Sequence, residues 1–302
     1  MKIKSRWICC ILILLYLCPG IASSETRAKS AEEAVKMGNR YGAEKNYKAA
    51  IEAFTRAIQL NAKNADAYEG RSRCYSLMGD YKMAISDITK AIDLDPEYWR
   101  YYWRRGYGYY QLGDDRSAII DCTRAIELNR EHVGGYNCRA QSYYRVGNFN
   151  DAIKDLSRVI ELNPENDRAY NARCICYYRS GQHEKAFADI DKAINLNPRN
   201  SEAYHAKGSV LIETGDYKSA ITDLDKALTL SNNEKNNAIT YIDLAQAYYH
   251  LKRYDRAKEY ILKACELDPS FKSDFSKWPK HYSFSDTEKR TIPEMLTKIR
   301  KM

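Results

Sequence analysis

Five histidines, nine cysteines and a ladder of basic and acidic residues are the side chains of this 302-residue sequence that could do chemistry. His132, His183, His205, His250 and His281 stand at unrelated spacings, so no two share the three- or four-residue interval that sets ligands on one helical face. Cys174 and Cys176 are two apart, which on a helix turns them to different faces. A structural zinc site needs four converging ligands, and nothing in these spacings supplies them. No glycine-rich phosphate loop or nucleophile elbow is present. Gly106 and Gly108 sit in a helical pattern rather than after a strand, so they are packing glycines and not a dinucleotide fingerprint. The expectation is a chain that is not an enzyme, with no metal, no other cofactor and no small-molecule substrate.

The charged ladder is regular. Arg71, Arg105, Arg139, Arg173 and Lys207 are 34 residues apart, and Asp87, Asp121, Asp155, Asp189 and Asp223 each follow 16 residues later. Such a series forms ion pairs between helices or offers cations to a ligand. The matched partner favours ion pairs, because buried charges are usually paired ones.

The same interval runs through the rest of the chain, and self-similarity at a fixed period marks a repeat architecture. Tyr68, Tyr102, Tyr136, Tyr170 and Tyr204 form one series, and Tyr41, Tyr75, Tyr109, Tyr143 and Tyr177 another. Gly79 to Gly215, Ala50 to Ala220 and Leu60 to Leu230 repeat in the same register, and the tyrosine series explain much of the count of 26. Seven units follow: 31–64, 65–98, 99–132, 133–166, 167–200, 201–234 and 238–271, the last displaced by the polar stretch Ser231 to Asn237. Within the second unit, Tyr68, Arg71, Ser72 and Tyr75 lie at helical spacing. Gly79 supplies the left-handed residue that stops a helix, Asp80 can cap the next, and Ala84, Ile88 and Ala91 mark its buried face. Leu94 closes that second helix, and Pro96 cannot continue it.

This pattern resembles the tetratricopeptide repeat family: a 34-residue helix pair with small residues at Gly106, Ala140 or Gly208, an aromatic at Tyr109 or Tyr143, Ala118 or Ala152, and Pro164 or Pro198. The resemblance implies an all-α, right-handed superhelical solenoid whose concave groove, lined by the first helix of each pair, binds a peptide or protein. Transferred to this sequence, the groove positions include Asn39, Arg73, Arg100, Trp103, Arg104, Tyr107, Tyr110, Asn137, Gln141, Tyr144, Asn171 and Tyr178. Asn and Gln both donate to and accept from a peptide backbone, and Tyr and Trp give large contact area at low entropic cost. Trp103, Tyr107 and Tyr110 are expected to be exposed and unpaired, more aromatic surface than a solvated face needs. One subset of the family clamps a chaperone's C-terminal carboxylate. Asn39, Arg100 and Arg104 match that clamp, but Val35 and Gly70 replace its lysine and asparagine, so the activity does not transfer. An acidic ligand near Arg100 and Arg104 stays compatible with the residues.

The ends read differently. Lys2, Lys4 and Arg6 precede an apolar run from Trp7 to Cys18, then Pro19, Gly20 and Ala22. That is the order of a secretory signal peptide spanning residues 1–24, with cleavage before Ser23 and a periplasmic or secreted product. Twelve apolar residues are short against the roughly 20 a bilayer span needs; an anchor through residues 7–18, with membrane contact only if the signal is uncleaved, is the alternative. The net charge of +8 is spread along every helix with acidic residues interleaved, so no nucleic-acid partner is expected. Cys74, Cys122, Cys138, Cys174, Cys176 and Cys265 fall mostly at core positions and read as small hydrophobes. Residues 272–302 are expected to form a connector and a capping helix starting at Pro293, since solenoid ends need a cap. The function expected is a non-catalytic scaffold for a peptide or protein. The alternative is a structural subunit of a cell-envelope assembly that binds through its convex face or its tail.

Overall fold

The computed structural model describes residues 24–231, 237–273, 275–278 and 286–300. Helices follow one another in pairs: α1 (Ser24–Ala43) with α2 (Tyr47–Leu60), α3 (Ala65–Leu77) with α4 (Tyr81–Leu94), and α5 (Trp99–Leu112) with α6 (Asp115–Leu128). Then come α7 (Val133–Arg145) with α8 (Phe149–Leu162), α9 (Asp167–Arg179) with α10 (His183–Leu196), α11 (Ser201–Thr214) with α12 (Tyr217–Leu230), and α13 (Asn237–His250) with α14 (Tyr254–Leu267). Two 3-10 turns, Pro269–Lys272 and Phe275–Lys277, and a last helix, α15 (Asp286–Arg300), follow. The described residues contain no strand, so the fold is an all-α solenoid of helix pairs. The chain divides into two compact units between Arg130 and Glu131, α1–α6 in the first and α7–α15 in the second.

Local chemistry sets the helix ends. Asp80, Asp114 and Asp216 each accept a hydrogen bond from the backbone N–H three residues on, which satisfies an otherwise orphaned donor of the following helix. Between the two helices of a pair the chain turns through a left-handed residue, such as Gly79 at φ +84° and Gly215 at φ +85°. The first and last pairs use Lys45 (φ 59°) and Lys252 (φ 60°) there instead, where a Cβ meets the carbonyl. Within a pair, small residues bring the helices together. A Cβ on Gly106 would stand 2.7 Å from Cys122 Sγ, and one on Gly208 would stand 2.5 Å from Leu224 Cγ.

Four members of the basic–acidic ladder form the same buried fork. Arg71 donates through Nε and Nη2 to both oxygens of Asp87 at 2.8 Å, and Arg105–Asp121, Arg139–Asp155 and Arg173–Asp189 repeat it at 2.7–2.9 Å. The third nitrogen reaches back to the preceding second helix: Arg71 to Thr55, Arg105 to Thr89 and Arg173 to Ser157. Those hydroxyls donate in turn to the carbonyls of Ile51, Ile85 and Ile153, which completes the network. The flanking tyrosine series sit over the guanidiniums, as Tyr170 and Tyr177 do at 5.7 Å from Arg173. The fifth member departs from the expected pairing. Lys207 bonds Asp191 at 2.8 Å rather than Asp223. Asp191 occupies the place of Thr55, Thr89 and Ser157, and an ammonium is a point charge that cannot fork across both carboxylates. Burial then holds the Asp223 carboxyl above the usual carboxylate range, with Lys207 opposing it.

Beyond the pairs, Ile292, Met295, Leu296 and Ile299 of α15 are buried in one cluster with Ala238, Ile242 and Ala245 of α13. Pro293 does not start this helix as the sequence suggested. It lies inside α15, which begins at Asp286. The i, i+3, i+4, i+7 spacing of those four apolar residues outweighs the single backbone hydrogen bond that proline removes. Among the described residues no helix is long and apolar enough to cross a membrane. The candidate signal or anchor at residues 1–24 lies almost wholly outside the described residues, which begin at Ser24.

Two stability predictions follow from this geometry. Lys45→Gly and Lys252→Gly are each expected to raise the unfolding free energy by about 1 kcal/mol, the net of relieved left-handed strain and glycine's added chain entropy, read by urea denaturation. Arg139→Ala, which strands Asp155 without its fork, is expected to lower stability by about 3–5 kcal/mol in the same assay.

Candidate functional site

The first helices of successive pairs lie side by side within each unit and expose one shared face. In the first unit that face is built from α1, α3 and α5. Positions 100, 103, 104, 107 and 110 fall at three- and four-residue steps along α5, so Arg100, Trp103, Arg104, Tyr107 and Tyr110 share a side of it. Arg104 donates to Glu69 of α3 at 2.9 Å, with side-chain exposures of 21% and 16%, and its guanidinium lies 5.6 Å from the Trp103 ring. Burial pulls Arg104 below the usual guanidinium range, Arg73 and Arg100 push it the same way, and Glu69 opposes them. Arg73 donates to Asn39 at 3.2 Å, and Arg100 stacks on the rings of Tyr98 and Trp99. Glu69 is thus bonded by Arg104, while Arg73 and Arg100 stand near enough to repel that guanidinium.

Two expectations need correction. The aromatics are not unpaired: Tyr107 meets Tyr81 edge-on at 6.3 Å and Tyr110 at 6.5 Å, while Trp103 and Tyr110 are half-buried. Arg104 is already paired through Nε with Glu69, so a ligand carboxylate there would have to share it; Arg73 and Arg100 are the cations whose contacts here are neutral. The ion pair links residues 35 apart, one off the repeat interval, so the 34-residue ladder could not reveal it. Gly70, where the clamp-bearing relatives have asparagine, leaves room for the Phe54 ring, which any Cβ there would strike.

In the second unit the equivalent face opens into a cleft of about 270 Å³, lined by α7, α9, α11 and α13. It brings together Tyr144, Asn171 and Tyr178 of the sequence-derived set, with Ile175, His205, Ser209 and Asp243. Asn137 and Gln141 sit on α7 outside this lining, half-buried and exposed respectively. Ser209 Oγ donates to Asp243 Oδ2 at 2.9 Å, and His205 Nε2 lies 3.0 Å from the same oxygen. Although Ser, His and Asp meet here, the serine hydroxyl gives its proton to the carboxylate and not to the imidazole, so the geometry does not activate a nucleophile. Cys174 also lines the cleft, and burial pushes its thiol well above the ordinary range, as it pushes Cys176 up to about 12. Buried thiols of that kind are inert.

The sequence reading missed Asp243, His205 and Ser209. The signal was present in register: Cys138, Ala172 and Ala206 are the small residues that precede Asp243 at the same place in the three earlier pairs. All six described cysteines are buried. Among the described residues no three His, Cys, Asp or Glu side chains are grouped to hold a metal ion.

Four family models, each described as Tetratricopeptide repeat, match residues 43–104, 100–132, 139–201 and 199–270. No curated protein matches the chain significantly. Among solved structures, a tetratricopeptide repeat protein from Parabacteroides merdae is similar with a TM-score of 0.67 at 18% identity, over 89% of this chain and 99% of that one. YrrB, described as a TPR protein with an unusual peptide-binding site, aligns with a TM-score of 0.54 at 24% identity, over 61% and 99%. MamA from Desulfovibrio magneticus aligns with a TM-score of 0.53 at 20% identity, over 55% and 94%. At these identities the likeness is one of fold.

Proposed function

Because the chain belongs to the tetratricopeptide repeat family, we propose that it is a non-catalytic scaffold holding a polypeptide partner on the shared face of its first helices. The observation that carries this reading is the arginine–aromatic face of α1, α3 and α5. Arg73, Arg100 and Arg104 outnumber Glu69; Arg73 and Arg100 meet neutral neighbours, and Trp103 lies against Arg104. Such a face suits a peptide segment with a carboxylate next to an apolar side chain: the guanidiniums take the carboxylate, and the rings supply contact area at low entropic cost. The peptide-binding description of YrrB, whose fold this chain shares, points the same way. In the second unit, Asn137, Gln141, Tyr144, Asn171 and Tyr178 would supply polypeptide contacts of that unit's own. Export belongs to the same reading, supported by Lys2, Lys4, Arg6 and the apolar run that follows, and it places the scaffold in the periplasm or outside the cell.

A peptide library displayed on phage tests the face. Selected peptides are expected to carry Asp, Glu or a free carboxylate beside an apolar residue. They should lose affinity at least about tenfold on Arg100→Ala or Trp103→Ala, as central Arg and Trp anchors do, with helicity unchanged. Selected peptides whose affinity survives both substitutions would overturn the assignment. N-terminal sequencing tests export: the mature chain should start near Ser23 in an extracytoplasmic fraction, and a cytosolic chain that retains Met1 would contradict it.

A further inference from the structure

The cleft of the second unit differs in chemistry from the arginine-rich face of the first. Asp243 is only 1% exposed, and Asn171 only 6%. Ser209 and His205 both approach Asp243 Oδ2, which leaves Oδ1 buried with no hydrogen-bond partner, and the side-chain oxygen of Asn171 is likewise buried without one. Unmet buried acceptors cost free energy, and a charged one costs most, so a native structure that keeps two in one cleft calls for an explanation.

We propose that this cleft receives the guanidinium of an arginine side chain on the partner polypeptide, an inference that rests on the polypeptide-binding reading above. Both unmet atoms are acceptors, so the ligand must donate. One belongs to a carboxylate, so a cation is favoured and an anion repelled. Glu202 on the lining adds a second carboxylate; Arg179 of the same lining lies 5.7 Å from the Phe149 ring, and His205 approaches Asp243 through Oδ2, leaving Oδ1 for a donor. Tyr144 and Tyr178 contribute aromatic surface on which a planar cation can stack. Guanidinium carries five donors in a flat fork, enough to meet Asp243 and Asn171 together, whereas an ammonium is compact and strongly hydrated. The volume, about 270 Å³, lies just below the usual range of sites for drug-sized ligands, roughly 300–1,000 Å³, and fits one side chain entering from a bound chain.

The test uses the whole chain with blocked tripeptides of the form acetyl-Ala-X-Ala-amide, X being arginine, lysine or citrulline, followed by methyl chemical shifts. Arginine is expected to shift the methyls of Ile175 and Ile239, which line the cleft, and to bind at least about tenfold more tightly than citrulline, its neutral isostere, the ratio expected of a charge-assisted hydrogen bond. Asp243→Asn should reduce that ratio to about threefold or less. Ile239→Trp, which fills the cleft and leaves the Asp243 side chain in the sequence, should abolish the Ile175 shifts. Free arginine amide binding as tightly as the arginine tripeptide would overturn the polypeptide source, and lysine binding more tightly than arginine would overturn the guanidinium. Equal binding of arginine and citrulline, or shifts confined to methyls outside the cleft, would overturn the site. The comparison in the unsubstituted chain decides the matter even if a variant fails to fold. Loss of this site with Trp103-dependent peptide binding intact would sink this inference alone, and loss of both would sink the scaffold reading with it.

Discussion

The guanidinium fork between Arg71 and Asp87, and its three copies, is the interaction on which the rest of the chain depends. One arginine ties three elements: its own first helix, the aspartate of its own second helix and, where Thr55, Thr89 or Ser157 accepts, the second helix of the preceding pair. Both carboxylate oxygens accept a bond, the hydroxyl donates to a backbone carbonyl, and tyrosines on either side in sequence cover the guanidinium. A buried ion pair is weak evidence of stability by itself, because desolvation opposes the Coulomb gain. Here the fork meets both carboxylate oxygens, and the pairing fixes which helices meet and in what register. The tyrosine, arginine and aspartate series of the sequence are thus parts of one motif.

That motif also sorts the charges available for function. Arg71, Arg105, Arg139 and Arg173 are largely enclosed within it, each forked onto a buried aspartate. The cations facing outward are off-series: Arg73, Arg100 and Arg104 in the first unit, the last held by Glu69. In the second unit the first-helix face carries the opposite chemistry. Asp243 and Asn171 present acceptors there, beside Ile175, Val210 and Ile239 of the same lining. A repeat protein that keeps its structural charges in strict register is free to vary the remaining first-helix positions pair by pair, and these two faces are two outcomes of that freedom.

What the sequence disclosed follows from what is local or periodic. The helix pairs, the left-handed turns at Gly79 and its counterparts, the caps such as Asp80 and four of the five ion pairs are all written within 34 residues in fixed register. What it concealed depends on neighbours that break the register. Lys207 chooses Asp191 because a carboxylate replaces a hydroxyl there, and Arg104 meets Glu69 one residue off the repeat. Asp243 becomes a site only when α9, α11 and α13, three separate stretches of chain, come together around it. The start of α15 was misplaced for a related reason: Pro293 is a strong local signal, and the burial of Ile292, Met295, Leu296 and Ile299 against α13 overrides it.

The central claim is that partners meet the first-helix face and not the second helices. Photo-crosslinking from single positions, in the cell that makes the protein, tests it most directly. A photoreactive side chain at Trp103 or Tyr178, on first helices, is predicted to trap a polypeptide, whereas one at Met83 or Ile120, exposed on second helices, should trap none. Adducts at Met83 or Ile120 with none at Trp103 or Tyr178 would contradict the account.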